Sequence, residues 1–329
     1  MNLVGKNVIV TGAGGFIGSH LTEELVKAGA KVRVFVKYKS DGSIGKLEEL
    51  PDEVIEKIEI VRGDLKNSES VRKAVKDMEI LFHLGALISI PYSYADPTDY
   101  VETNIIGTLN ILNAAREYGI KKTIITSTSE TYGTARYVPI DEEHPINTQS
   151  PYSATKASAD RIAESFFKSY NLPLVIIRPF NTYGPRQSQR AIISSIISQA
   201  LSSNNVKIGS LTPKRDFTYV KDIVQGFIKS AESENCFGEI INLCSNKTIS
   251  MEDILKKIEK IINKKIIINQ EEERIRPEKS EVFLLQGNNE KAKRLLGWEP
   301  KTGLEEGLKE TLEYIRKNLD KYKIERGNI

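Results

Sequence analysis

A chain of 329 residues, 40% of them hydrophobic and 28% charged, has room for a large core and for two lobes. Its 47 basic and 44 acidic side chains are interspersed and leave a net charge of +3, so charge gives no reason to expect a nucleic-acid partner. The 3 histidines are too scattered for a metal site, the 2 cysteines make no disulfide framework, and no segment reads as a signal or a membrane span, so a cytoplasmic protein with no metal and no membrane partner is expected.

Asn7–Thr11 is short and β-branched and reads as a buried strand. Gly12–Gly18 follows, then an amphipathic helix over Ser19–Gly29. In this strand–turn–helix, Gly12 permits the tight turn, Gly15 lets a pyrophosphate approach the backbone, and Gly18 lets helix and strand pack closely. Phe16 and Ile17 lie in this turn between Gly15 and Gly18, and the phosphates would sit on the N-terminus of the helix that follows. Lys31–Val36 is the second strand. An acidic residue at its end would take the adenosine ribose and imply NAD; here Lys37 stands instead, which favours NADP through a 2′-phosphate while NAD remains possible. Ile58–Val61 is a third strand. After it, Asp64 could accept the adenine amino group and Leu65 could pack on the ring, although Asp64 could equally cap the helix Ser68–Val75. Ile80–Leu84 is the fourth strand, and Leu84 to Ala86 would let a cofactor lie close to the backbone. His83, inside that apolar run, reads as a packed histidine. Ser89–Tyr94 reads as a polar, aromatic loop. Pro97–Tyr118 reads as a long helix in which buried Asn104 must be hydrogen-bonded and would brace nearby strand loops.

Ile120–Thr126 is the fifth strand, and it delivers Thr128, Ser129 and Glu130 at its end. Tyr152 and Lys156 lie four apart in a segment of helical periodicity, so one helix face carries phenol and ammonium together. A nearby ammonium favours the phenolate, which makes the pair suited to proton transfer, and lysine can also hold a nicotinamide ribose. Thr128 can fix a sugar hydroxyl. Glu130 discriminates among reactions: alcohol oxidation needs no carboxylate there, whereas removing the proton alpha to a new ketone does. A Ser129–Glu130 pair could then help a β-hydroxyl leave as water. Leu172–Ile177 is the sixth strand. Beyond it the alternation is less regular, with helices at Ala191–Leu201, Val220–Ser230, Met251–Ile262, Asn289–Leu296 and Leu304–Asn318, and strands at Val206–Ile208, Glu239–Leu243 and Ile266–Asn269. Ser250 and Thr302 stand where helix caps belong.

These pieces, with Arg178–Arg186 and Arg215–Asp222, resemble the extended short-chain dehydrogenase/reductase family over nearly the whole chain. The resemblance implies an α/β fold: a Rossmann-type doubly wound parallel sheet over residues 1–180 with the cofactor and catalytic residues, and a smaller C-terminal α/β lobe over 181–329, mainly for a nucleotide-diphosphate sugar. Within the family, Ser127–Gly133 looks like the nucleotide-sugar 4,6-dehydratases. The segments Asn181–Ile192 and Ser210–Asp222 are most similar to the dehydratases of nucleotide-linked N-acetylglucosamine in legionaminic acid pathways. The implied reaction is C4 oxidation with Tyr152 and Lys156, loss of the C5 proton to Glu130 and of water from C6, and hydride return to C6. Asn181, Arg186, Arg215 and Arg276 are then candidates for the sugar and diphosphate, an arginine fork suiting a diphosphate. A UDP-glucuronate decarboxylase shares the Thr-Ser-Glu motif, a 4-epimerase shares the C4 oxidation, and a non-catalytic nucleotide sensor would share the fold. A homodimer through the Pro97–Tyr118 and Tyr152–Tyr170 helices also follows from the resemblance.

Overall fold

The structure is a computed structural model, and it describes residues 2–203 and 205–322. Seven strands form one parallel sheet: β1 (Asn7–Thr11), β2 (Lys31–Lys37), β3 (Ile58–Gly63), β4 (Ile80–His83), β5 (Lys122–Thr126), β6 (Leu174–Pro179) and β7 (Ile240–Leu243). Their spatial order is β7-β6-β5-β4-β1-β2-β3, with every neighbour parallel. Such strands must be covered on both faces, and the period of two divides their side chains between two apolar layers. Val8, Val10, Phe82, Ile124 and Ile177 pack on one side with α1 (Phe16–Lys27) and α5 (Val220–Glu232). Ile9, Leu81, Ile125 and Ile176 pack on the other with α2 (Ser68–Val75), α3 (Gly107–Glu117) and α4 (Pro151–Tyr170). Each such side chain contributes roughly 1.5–3 kcal/mol on leaving water, so the two layers together fix the sheet's register.

Strand order reverses between β1 and β4, and the carboxyl ends of the strands part there to leave a crevice. Four local readings need correcting. The first helix begins at Phe16, not Ser19, because Gly15 itself caps it and the glycine turn runs straight into the helix. The segment after Ser89 is not a loop: Ile90–Ala95 is a short helix, with the Ser89 side chain accepting the Tyr92 amide and Pro91 in its first turn. The long helix runs Pro97–Tyr100, Val101–Ile106 and α3, and its middle segment is π-helical. That segment carries Asn104, and π turns recur at functional sites. Thr302 caps nothing; its amide donates to Asp222, and Gly303 precedes the Leu304–Lys317 helix.

Beyond residue 181 the chain divides. Three two-stranded pieces pair Asn181–Tyr183 with Phe217–Tyr219, Lys214–Arg215 with Ile249–Ser250, and Asn205–Ile208 with Ile267–Gln270. These sit with the helices Ile192–Ser202, Met251–Ile262 and Leu304–Lys317. α5 and β7, however, return to the central sheet, where β7 pairs with β6. One apolar layer runs through both parts, from Leu21 and Leu25 to Ile254 and Leu312, so position 181 is no clean cut.

Candidate active site

The crevice is a cleft of about 600 Å³ lined from the ends of β1, β4 and β5, the start of α4, and residues beyond 179. Its first half is built from backbone. Gly12 leaves β1 at φ +70°, a conformation that favours glycine. A Cβ there would stand 2.6 Å from the Gly85 nitrogen, so the ends of β1 and β4 meet main chain to main chain. A Cβ on Gly18 would overlap the Gly12 carbonyl, which is the close helix–strand packing expected. Gly15 ends the turn with no side chain bonded over the first amides of α1, and those amides have no partners within the helix. Phe16, Ile17, Leu65, Leu84 and Ala86 line the same half. A cradle that side chains would fill, an uncapped helix N-terminus and an apolar wall fit a nicotinamide dinucleotide.

Lys37 is on this wall, yet its Nζ lies 3.9 Å from Asp64 Oδ2, so each charge already faces the other. Asp64 does not cap α2. Its Oδ1 accepts the Lys66 amide at 2.9 Å, and Asn67 caps the helix instead. His83 is packed, as expected: its Nδ1 lies 2.8 Å from Thr11 Oγ1 and its Nε2 lies 3.0 Å from Thr108 Oγ1. Burial first, and the Lys156 charge second, push its pKa down to about 3.

The residues expected to carry catalysis come from two elements. After β5 a single 3₁₀ turn, Ser129–Tyr132, is capped by Thr128, whose Oγ1 accepts the Glu130 amide at 3.2 Å. This turn places Thr128 and Glu130 on the cleft wall and sends Ser129 inward, where it is buried and off the wall. The expected Ser129–Glu130 pair at a leaving hydroxyl is therefore not formed. α4 starts on a reciprocal Ser150–Ser153 cap with Pro151 in its first turn, and it presents Tyr152 and Lys156 to the cleft. Asn104 accepts the Leu87 amide at 2.8 Å and donates to the Leu87 carbonyl at 3.0 Å and to Thr155 at 3.1 Å. It thus ties the loop after β4 to the catalytic helix, the bracing its burial demanded.

The electrostatics differ from the expectation. Burial raises the Tyr152 pKa well above the usual phenol value; the Thr128 hydroxyl opposes this, and the Glu130, Tyr100 and Asp160 charges add to it. Lys156 Nζ donates to the Thr126 carbonyl at 2.6 Å, and its charge is not among the main influences on the phenol. Burial lowers the Lys156 pKa, and Asp160 opposes that shift.

The second half of the cleft is built from side chains far apart in sequence. Asn181 and Arg276 line it, and each has a buried atom, Oδ1 and Nη1 respectively, with no partner among the described residues. Such atoms are costly unless something else binds them, which is what a polar ligand does. Two other expected ligands lie off the wall. Arg186 donates to Glu23 at 2.6 Å and reaches His20 Nδ1 at 3.5 Å, which fastens its turn onto α1. Arg215 is buried behind the wall and donates to Glu281 at 3.0 Å, although the Glu130 charge acts on it. Sequence reasoning missed Lys39, Ser43, Ile44 and Gln187 on the wall, and Glu281 behind it. Loop residues brought in by tertiary folding carry no local pattern that would find them.

A fold and site of this kind define a nucleotide-dependent enzyme of the short-chain dehydrogenase/reductase type. A sequence profile of the family described as GDP-mannose 4,6 dehydratase matches residues 9–311, and the chain belongs to that family. It is 33% identical to the UDP-glucuronate 4-epimerase of Thermodesulfobacterium geofontis, over 95% of this chain and 97% of that one. It is 30% identical to the dTDP-D-glucose 4,6-dehydratase of Mus musculus, over 97% and 91% respectively. Among solved structures it resembles a single-residue mutant of the UDP-glucuronic acid 4-epimerase of Bacillus cereus, in complex with UDP-4-deoxy-4-fluoro-glucuronic acid and NAD. That likeness has a TM-score of 0.86 and 30% identity, and it covers 94% of this chain and 99% of that one. Nucleotide-sugar chemistry is common to these relatives, while the reaction differs among them.

Proposed function

We propose that this enzyme is a nucleotide-sugar 4,6-dehydratase that converts a nucleotide-diphosphate hexose, UDP- or GDP-linked N-acetylglucosamine, into its 4-keto-6-deoxy form. The observation that carries this reading is the Glu130 carboxylate on the cleft wall, beside Thr128 and Tyr152. A nicotinamide dinucleotide held by Gly12, Gly15, Phe16, Ile17, Gly18, Leu65, Leu84 and Ala86 supplies the hydride acceptor and donor. Lys37 and Lys39 favour its 2′-phosphorylated form, and Asp64 beside Lys37 works against it.

Tyr152 takes the proton of the C4 hydroxyl, which Thr128 orients. Burial keeps the phenol protonated at rest, so it must first release its own proton to solvent, and that needs a cation near the oxygen. Lys156, one turn along the same face, is the chain's own cation for that task. With a ketone at C4 the C5 proton becomes acidic, and Glu130 takes it. The Glu130 carboxylic acid so formed then protonates the departing C6 hydroxyl, and water leaves. With Ser129 off the wall, Glu130 carries both transfers, and when hydride is returned to C6 the carbon at C5 takes its new proton from solvent by way of Glu130. Asn181 and Arg276 bind the sugar and diphosphate.

The likeness to 4-epimerases supports a second reading, in which the C4 ketone is reduced from its other face and Glu130 only pairs charge. Mass spectrometry after incubation with UDP- and GDP-linked N-acetylglucosamine, GDP-mannose and UDP-glucuronate separates the outcomes. Loss of water supports dehydration and names the substrate. Loss of carbon dioxide means decarboxylation, and an unchanged mass with an altered sugar spectrum means epimerisation. The exposed Val101, Ile106 and Tyr170, on the two long helices, support a homodimer through those helices. Both cysteines are free and buried, as suits a cytoplasmic setting.

A further inference from the structure

Behind the catalytic residues lies a charged network that the mechanism above does not use. Asp160 and Arg178 face each other almost wholly out of water, with side chains 1% and 2% exposed. Asp160 Oδ2 accepts from Arg178 Nη2 at 2.9 Å and Nε at 3.2 Å, and from the Ser127 hydroxyl at 2.7 Å. Arg178 Nη1 donates to the Tyr132 hydroxyl at 3.0 Å, and that hydroxyl donates to Asn242 at 2.8 Å. Burying such a pair is expensive, and a packed apolar pair would hold the fold as well, so its place asks for another role.

That place is specific. Tyr152, Lys156 and Asp160 are spaced by four and lie on one face of α4. Lys156 grips the Thr126 carbonyl while Asp160 grips the Ser127 hydroxyl, so successive turns of one helix hold the last residues before Thr128 and Glu130. Asp160 Oδ1 is buried with no partner among the described residues, so its charge is not fully spent on Arg178. The charged and titratable groups around this cluster include Lys156 and Tyr152 on α4, Arg178 on β6, Tyr132 and Glu130 on the 3₁₀ turn, Tyr100 on the helix Pro97–Tyr100 and His83 on β4, and the Glu130 and Tyr100 charges act on Tyr152 more strongly than Asp160 does.

We propose that Asp160 is a positioning residue for the reaction: anchored by Arg178, its carboxylate locks the end of β5 to the catalytic helix and sets the field in which Tyr152 and Lys156 exchange protons. The proposal rests on the reading of Tyr152 and Lys156 as the proton-transfer pair. The negative charge raises the proton affinity of both groups. Removing it lowers both, so the bell-shaped pH profile moves as a whole and does not merely shrink.

The test is Asp160→Asn, which keeps the shape and removes the charge. On the nucleotide sugar identified by mass spectrometry, the kcat profile is expected to move to lower pH by about one unit, with KM little changed. A second arm needs no turnover. Ultraviolet titration of the phenolate in the NAD-supplemented protein, read as the difference from Tyr152→Phe, is expected to begin at lower pH by the same margin. A fall in kcat with profile and titration unmoved would reduce Asp160 to a structural residue and overturn the proposal. If no nucleotide sugar turns over, the functional reading fails, and the titration still decides on Asp160. Asn alone strands Arg178 as an unpaired buried cation, so Asp160→Asn with Arg178→Met is made alongside it. Arg178 is not among the main charges acting on Tyr152 or Lys156, so the double variant is expected to show the same shift.

Discussion

The two halves of the cleft are built by opposite means. The dinucleotide half is made of main chain: glycines 12, 15 and 18 lie within seven consecutive residues, and the contacts that require them are to backbone atoms. The other half is made of side chains from Glu130, Tyr152, Asn181 and Arg276, which approach only when the whole chain has folded. A backbone site tolerates no added atom but asks little of side-chain identity. A side-chain site tolerates repacking but depends on each functional group. Substitutions in the first half should therefore act on folding and cofactor retention together, and those in the second on turnover or KM alone.

The largest effect is expected at the reacting hydroxyl. Tyr152→Phe removes the proposed proton-transfer group and little volume, so kcat should fall by roughly 10²–10⁴ with nucleotide-sugar affinity retained by calorimetry. Equal losses of affinity and turnover would place Tyr152 in ground-state binding instead. Gly18→Val comes next. Its side chain collides with the Gly12 carbonyl, so the protein should lose about 1–3 kcal/mol in denaturant unfolding and bind nicotinamide dinucleotides poorly. Normal stability with normal cofactor binding would break the backbone half of the comparison. Arg276→Ala removes a guanidinium whose Nη1 has no partner among the described residues, so little stability is at stake. KM for the nucleotide sugar should rise by roughly 10–100-fold while the melting temperature holds.

How far the sequence could be read follows the same division. β1, the glycine turn and α1 are local: their periodicity and spacing were legible, and the structure moves only the start of the helix, because Gly15 acts as the cap. The Tyr152–Lys156 pair was legible too, since helical spacing alone sets it. Arg186 was not. Nothing in its neighbourhood reveals that its turn would fold back onto Glu23 and His20 of α1. Nor did the spacing reveal that Lys156 would turn to the Thr126 carbonyl, or that one 3₁₀ turn would send Ser129 inward while keeping Glu130 on the wall.

The smallest effect concerns pH and lies between the two halves, at His83. Its folded pKa of about 3 lies below the ordinary 6.5, so the unfolded chain binds the extra proton between these values. The stability His83 contributes is present above about pH 6.5 and is lost as pH falls toward 3. Urea midpoints of wild type and His83→Gln should converge as pH drops from 7 to 4.5, because glutamine has no proton to gain. A gap that stays constant would mean that His83 takes up its proton alike in the folded and unfolded protein.

Glu130 as the C5 base is tested most directly by running the nucleotide-sugar incubation in deuterium oxide. The account predicts a product that has lost water and carries deuterium at C5, with Glu130→Gln abolishing both changes. A product of unchanged mass with no deuterium at C5, formed equally well by Glu130→Gln, would contradict it and leave the carboxylate a structural role.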